Sequence, residues 1–159
     1  MRPLKTLLAL STFALAAPCA IHAQGSHDPS LGTWALNVAK SQSDPGPGPK
    51  SATWTYVQTP SGIQRITHEV TGTGALLDMT ITFKRDGKPY PFVGNPNVDA
   101  IAFNRVSPLK CRSVMMRGGK IVGHGTEIVS KDGKTLTIDG KYTFVAGKIV
   151  HNMMVFDRQ

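Results

Sequence analysis

Tyr142 and His151 are the residue pair in this chain whose types and spacing best fit chemistry. With Ala146-Gly147 as a two-residue hairpin turn, Val145 pairs with Lys148, Phe144 with Ile149, Tyr142 with His151 and Ile138 with Val155. Leu136, Ile138, Tyr142 and Phe144 then share an apolar, inward face with Ile149, His151, Met153 and Val155. Thr137, Asp139, Lys141 and Thr143 form the solvated face. An imidazole opposite a phenol on an oily wall has two readings. One is a core hydrogen bond that fixes the register; the other is a pair of polar anchors in a small-molecule pocket. In an enzyme of this build, His151 or His124 would act as general base and Tyr142 would donate to a developing oxyanion. The reaction would be an isomerisation, cyclisation or lyase step needing no cofactor.

Other polar side chains interrupt strand-like stretches. For His124 the neighbouring turn decides. Asp132-Gly133 as a two-residue turn puts Glu127 inside and His124 outside, whereas a glycine bulge slips the register by one and turns His124 inward with Thr126 and Ile128. The bulged form is expected, because a type I turn with a left-handed Gly suits an Asp-Gly-Lys hairpin. Gly123 and Gly125 would leave room beside an inward His124, although strand glycines equally mark a barrel bend. His68 shares parity with Ile66 and Val70 and is expected inward; the parity of Arg112 with Val114 and Met116 allows an inward guanidinium. A buried Arg112 would need an anionic partner, and a ligand carboxylate would serve. The candidate ligand-binding set is therefore His68, His124, Tyr142, His151, Met153, Arg112 and Tyr56.

Other chemistries lack their spacing. His27, His68, His124 and His151 show no His/His or Cys/His ligand pattern. A ring of His68, His124 and His151 inside a barrel would be able to hold a metal or haem, but nothing in the pattern turns all three inward. No metal and no cofactor is assigned. There is no phosphate-binding glycine loop and no nucleophile elbow, and Cys111 reads as a small buried apolar residue.

The elements that must position these side chains are strands. No window has a helical apolar period, whereas period-two alternation recurs and is closed each time by a turn signal. Thr33–Val38, Ala52–Thr59, Ile63–Thr71, Ala75–Lys84, Asp99–Ser107, Leu109–Arg117, Lys120–Ser130, Thr135–Val145 and Lys148–Arg158 give roughly nine strands. Lys40–Ser51, with alternating Pro and Gly, reads as a surface crossing outside any ladder, and Lys88–Val98, with three prolines, as the longest loop. Consecutive hairpins make an up-and-down antiparallel meander, which removes its free edges by closing into a barrel of eight to ten strands. A two-sheet sandwich is the competing architecture, but it needs crossovers that these short connections do not supply.

Arg2 and Lys5, the apolar run Leu7–Ala20 and then Ile21-His22-Ala23 have the form of a secretory signal peptide cleaved after Ala23. The run is too short, and too interrupted by Ser11, Thr12 and Pro18, to span a membrane stably. The expected products are a 1–23 leader and a single 24–159 barrel domain, periplasmic or secreted. Cys19 leaves with the leader, so Cys111 has no disulfide partner. The formal charge of +8 is scattered over turns, with no basic run and no interleaved aromatics, so nucleic acid is not an expected partner. The expected partner is a small apolar molecule. Nothing in the sequence sets the oligomeric state.

Leu31-Gly32-Thr33-Trp34-Ala35-Leu36-Asn37 resembles the G-x-W opening of lipocalins and related calycins. In that family the Trp plugs one barrel end and an Arg from the last strand stacks on it; Arg158 stands at the corresponding place. The chain also resembles a group of exported bacterial lipocalin-like proteins of uncharacterised function. The shared segments read here Gly32–Asn37, Asp44–Pro49, Asp86–Pro91 with Gly94-Asn95-Pro96, and Ser130–Thr135, so the match runs through nearly the whole chain after the leader. The T-D-Y motif, the disulfides and the C-terminal helix of many lipocalins are missing. The resemblance implies the barrel and a cavity, but no particular ligand: such barrels serve as carriers, inhibitors and occasionally isomerases or cyclases.

Overall fold

The computed structural model describes residues 27–144 and 147–159. The leader with its Ala23 cleavage site, and Val145-Ala146 of the last hairpin turn, lie outside these residues. The strands are β1 (Gly32–Leu36), β2 (Gln42–Asp44), β3 (Ser51–Thr59), β4 (Gly62–Val70), β5 (Leu76–Phe83), β6 (Asp86–Val93), β7 (Ala100–Ser107), β8 (Lys110–Arg117), β9 (Lys120–Val129), β10 (Thr135–Thr143) and β11 (Ile149–Arg158). A single 3-10 turn over Val38–Lys40 separates β1 from β2. From β3 to β11 each strand pairs antiparallel with the next, and β1 pairs with both β3 and β11. The result is a closed, up-and-down, ten-stranded barrel with almost no helix. β1, the 3-10 turn and β2 run in succession along one edge of β11, where Leu36 pairs with Phe156 and Gln42 with Met153.

Two segments expected to be loops are strands. Gln42–Asp44 joins β11 because it lies just ahead of the Pro/Gly run, whose imide nitrogens then end the ladder. Asp86–Val93 contains Pro89 and Pro91 yet forms β6. It meets β5 only through Thr80–Val93 and Ile81–Phe92, so little of that edge has to donate hydrogen bonds.

The barrel has two unlike halves. At the end where the chain enters, Trp34 is fully buried and its Nε1 donates to Ser30 O at 2.7 Å. The Arg158 guanidinium lies 4.0 Å over its ring and donates to the carbonyls of Pro29, Leu31 and Gly133, the first two at 2.7 Å. Above this plug Phe83 stacks on Phe103 at 4.0 Å and Trp54 tilts against Phe156 at 4.7 Å, with Tyr56 and Leu136 buried among them. The other half, toward the Pro/Gly loop, is hollow.

Arg158→Ala removes the cation–π contact and three carbonyl bonds at once. It should lower stability by about 2–4 kcal/mol, read from urea denaturation, with strand content kept.

Candidate functional site

The hollow half encloses a cavity of about 520 Å³. Its wall is largely apolar, with Leu77, Met79, Phe92, Ile101, Met115 and Met154 among the lining side chains. Pro45–Pro49, Thr71–Thr73 and Asn95–Val98 border its mouth. Short side chains make the room: Ser113, Gly125, Gly140 and Asn152 stand in direct register across β8, β9, β10 and β11. A Cβ built on Gly140 would approach nothing closer than Met115 Cε at 3.6 Å, so the space in front of it is cavity rather than packed core.

The floor of the cavity is polar and charged. β4 turns Arg65, Thr67 and Glu69 inward, and β9 turns Glu127 inward, all four against the cavity. Glu127 bridges two guanidiniums, Arg65 at 3.5 Å and Arg85 at 3.2 Å. Arg85 continues the chain to Asp28 at 3.0 Å, and Arg105 also bonds Asp28. The Arg65 guanidinium lies 4.3 Å over Trp54 and 5.2 Å from the Phe92 ring, a setting that suits a flat, weakly hydrated cation. Burial alone would lower the Arg85 pKa, but the Glu127 and Asp28 carboxylates outweigh it and hold the group charged. Burial raises the Glu69 carboxyl above its ordinary value, partly offset by Arg65.

Tyr142 lines the cavity, and its hydroxyl accepts from Asn152 Nδ2 at 3.2 Å. Burial, reinforced by Glu69, pushes it up to about 12, so it is a neutral phenol. Tyr56 faces inward below the floor, almost fully buried. The other expected site residues face outward, and the expected Tyr142–His151 pair does not form. His151 sits opposite Lys141 on the outer face, exposed, 2.6 Å from Asp139; Tyr142 lies opposite Val150. The reason is turn length: Phe144 pairs with Lys148, leaving three residues between them rather than two, which reverses the facing of the whole of β11. Met153 goes outward with His151, beside Gln42 of β2. His124 is also outside, because Ser130 pairs with Thr135 around a four-residue loop that keeps the even register and puts Glu127 within. His68 is exposed and 2.6 Å from Asp78, and Arg112 is exposed on the outer face of β8. A general base of the His–Tyr kind is therefore not assembled in the cavity. Among the described residues no group of three or more His, Cys, Asp or Glu side chains is placed to hold a metal ion, and no helix is long and apolar enough to cross a membrane.

Sequence reasoning missed Arg65, Arg85, Asp28, Trp54, Thr67 and Asn152, and it placed Glu127 inside only under the two-residue turn that it did not prefer. One signal was present for β11: if Arg158 stacks on the end-plugging Trp34, its parity is inward, and Asn152, Met154 and Phe156 share it. No known family model matches the chain, and no curated protein matches it. What the ten-stranded barrel offers is architectural: it is compatible with a lipocalin-like fold.

The charged chain beneath the cavity has a testable pH signature. Burial raises the Asp28 carboxyl, but Arg85, hydrogen bonds from Ser30 and then Arg105 overcome it and hold the group below its ordinary 3.8. A depressed pKa contributes stability above the ordinary value, and that contribution is lost as pH falls through the depressed one. Asp28→Asn should therefore cost about 1–3 kcal/mol at neutral pH. The gap to the unsubstituted protein should narrow below pH ~4 in urea titrations run at both pH values.

Proposed function

We propose that the barrel binds a small, largely apolar molecule in the hollow half of its interior. The observation that carries this reading is a cavity of about 520 Å³ with oily walls, whose lining residues Trp54, Arg65, Thr67 and Asn152 each carry a buried polar atom without a hydrogen-bond partner. Small-molecule sites have this volume and this composition, mostly apolar with a few convergent polar groups. A buried polar group left unpaired costs about 1–3 kcal/mol, and a ligand that pairs several of them recovers that penalty on binding. Binding rather than catalysis is the better-supported class, because the side chains that would make an acid–base pair with Tyr142 lie on the outer surface.

The place of action follows from the N-terminal residues. The basic start, short apolar run and Ala23 support export, with a soluble domain released into the periplasm or outside the cell. Mass spectrometry of the mature protein should find Gln24 at its N-terminus; an intact Met1, or a lipid on Cys19, would overturn export with release.

The cavity reading is tested by filling the cavity. A fluorescent apolar probe should bind the protein with one-to-one stoichiometry. Gly140→Leu, whose side chain enters open space, should keep the fold by circular dichroism while weakening the probe about tenfold or more. Probe binding unaffected by Gly140→Leu would place it elsewhere on the surface.

A further inference from the structure

The outer wall of β6–β9 is apolar where it approaches the mouth. Pro91, Ala100, Met116 and Ile121 stand in direct register across the four strands. Phe92, Ile101 and Met115 line the cavity, so their neighbours Pro91, Ala100 and Met116 face outward, and Ile121 follows its partner Met116. The row spans three interstrand spacings, about 14 Å. Val93 extends it along β6 toward the mouth, and Pro89, Ala102 and Val114 form a second register row behind it. Among the described residues, the four most exposed large apolar side chains are Leu76, Val93, Ile121 and Ile149. Each lies within two residues of the mouth end of its strand. Two of the four, Val93 and Ile121 at 61 and 60 % exposure, belong to this patch.

Charge is divided around the wall in the same way. Lys88, Arg112, Arg117 and Lys120 are exposed on β6, β8 and β9. The one exposed acid within β6–β9 is Asp86, at the closed end, where it accepts from Lys88 N and the Tyr90 hydroxyl. Asp99, at the rim, accepts from Gly118 N at 2.7 Å. The other acids of the outer wall, Asp44, Asp78, Asp139 and Asp157, belong to β2, β5, β10 and β11. Aliphatic side chains combined with excess positive charge suit the surface of a bilayer that carries anionic lipid. A second copy of the chain fits poorly, because an isologous contact would set these cations against themselves. Nucleic acid fits poorly too, since the patch has no outward aromatic side chain for a base to stack on.

We propose that the outer wall of β6–β9 docks on an anionic lipid bilayer. Val93, Met116 and Ile121 enter the boundary between headgroups and acyl chains, while Lys88, Arg117 and Lys120 keep their charges at the headgroups. The Arg117–Lys120 turn stands at the edge of the patch nearest the mouth, so a docked barrel holds its opening beside the lipid. An apolar ligand then passes between bilayer and cavity without crossing bulk water. That passage rests on the cavity-binding reading above; the docking itself does not.

Co-sedimentation with phosphatidylcholine vesicles, with and without phosphatidylglycerol, tests the docking. Binding should require phosphatidylglycerol and weaken as salt is added. Lys88→Glu combined with Lys120→Glu should reduce it about tenfold or more. Ile121→Ser, which keeps every charge, should reduce it about fivefold or more. Lys84→Glu combined with Lys131→Glu makes the same change of net charge at the closed end and should have much less effect. All these positions are exposed, so circular dichroism should be unchanged, and residues 1–23 are common to every variant. No binding to phosphatidylglycerol vesicles overturns the proposal and leaves the face to an acidic protein. Equal losses from the two lysine pairs, or an Ile121→Ser variant that binds as before, overturn it as well. A dimer in sedimentation velocity that Ile121→Ser dissociates would assign the face to a second copy instead. None of these outcomes alters probe binding in the cavity, so the docking and the cavity reading fail separately.

Discussion

Closure of the barrel depends on the Arg158 guanidinium lying over Trp34. An antiparallel meander becomes a barrel only where its first and last strands meet, and here β1 and β11 share just three residue pairs. So short a ladder contributes few backbone bonds. The Arg158 side chain adds carbonyl bonds to Pro29 and Leu31 on the entering segment and to Gly133 in the β9–β10 turn, fastening three separate stretches of chain to one residue. Asn37 Nδ2 donating to Asp157 at 2.7 Å holds the other side of the same seam. Fixing Arg158 over Trp34 also fixes which residues of β11 face inward, and through the β10–β11 ladder it sets the facing of Leu136, Ile138, Gly140 and Tyr142.

Charge buried above that seam accounts for much of what the cavity is. Taking Arg65, Arg85 and Glu127 out of water is costly and is tolerated only where each group is paired. Glu127 can satisfy both guanidiniums because β4, β9 and the β5–β6 turn bring them to one point. Aromatic rings take the flat faces of the cations, with Trp54 under Arg65 and Phe83 5.4 Å from Arg85. Pairing is more complete toward the closed end, where Arg85 also reaches Asp28 and the Ser30 hydroxyl, than toward the cavity, where Arg65 keeps spare donors. The gradient from satisfied to unsatisfied polar groups runs into the hollow.

That buried charge is also why the architecture was legible and the site was not. Turn signals and period-two alternation gave the meander, and closure followed from its two free edges. The facing of individual strands was read from which parity was apolar, and this fails where the interior is polar. In β4 the inward residues are Arg65, Thr67 and Glu69, whereas Ile66 and Val70 stand on the outer face, so alternation sent His68 the wrong way. β11 is apolar on both faces, which left its facing to the turn, and one extra turn residue was enough to reverse it. Tyr142 was placed correctly because β10 has one apolar face and one plainly solvated one. The Pro-rich β6 was unreadable for another reason: its prolines are compatible with a strand only where the neighbouring ladder is short, which is a tertiary fact.

The two halves of the barrel divide the work between them. Aromatic packing, the Trp34 plug and the charge chain concentrate favourable contacts in the closed half, so the other half can forgo a packed core. Gly125 and Gly140, directly paired and both inward, would leave a destabilising void in a small protein that relied on uniform packing. Here Gly125 and Gly140 line the cavity together with Trp54, Thr67 and Arg65 of the β3–β4 hairpin. Filling that space with larger side chains would close the cavity, whereas keeping it open leaves room beside the residues of the floor. Hollow wall and unpaired floor are therefore one feature, and its position is set by the register that Arg158 imposes at the opposite end.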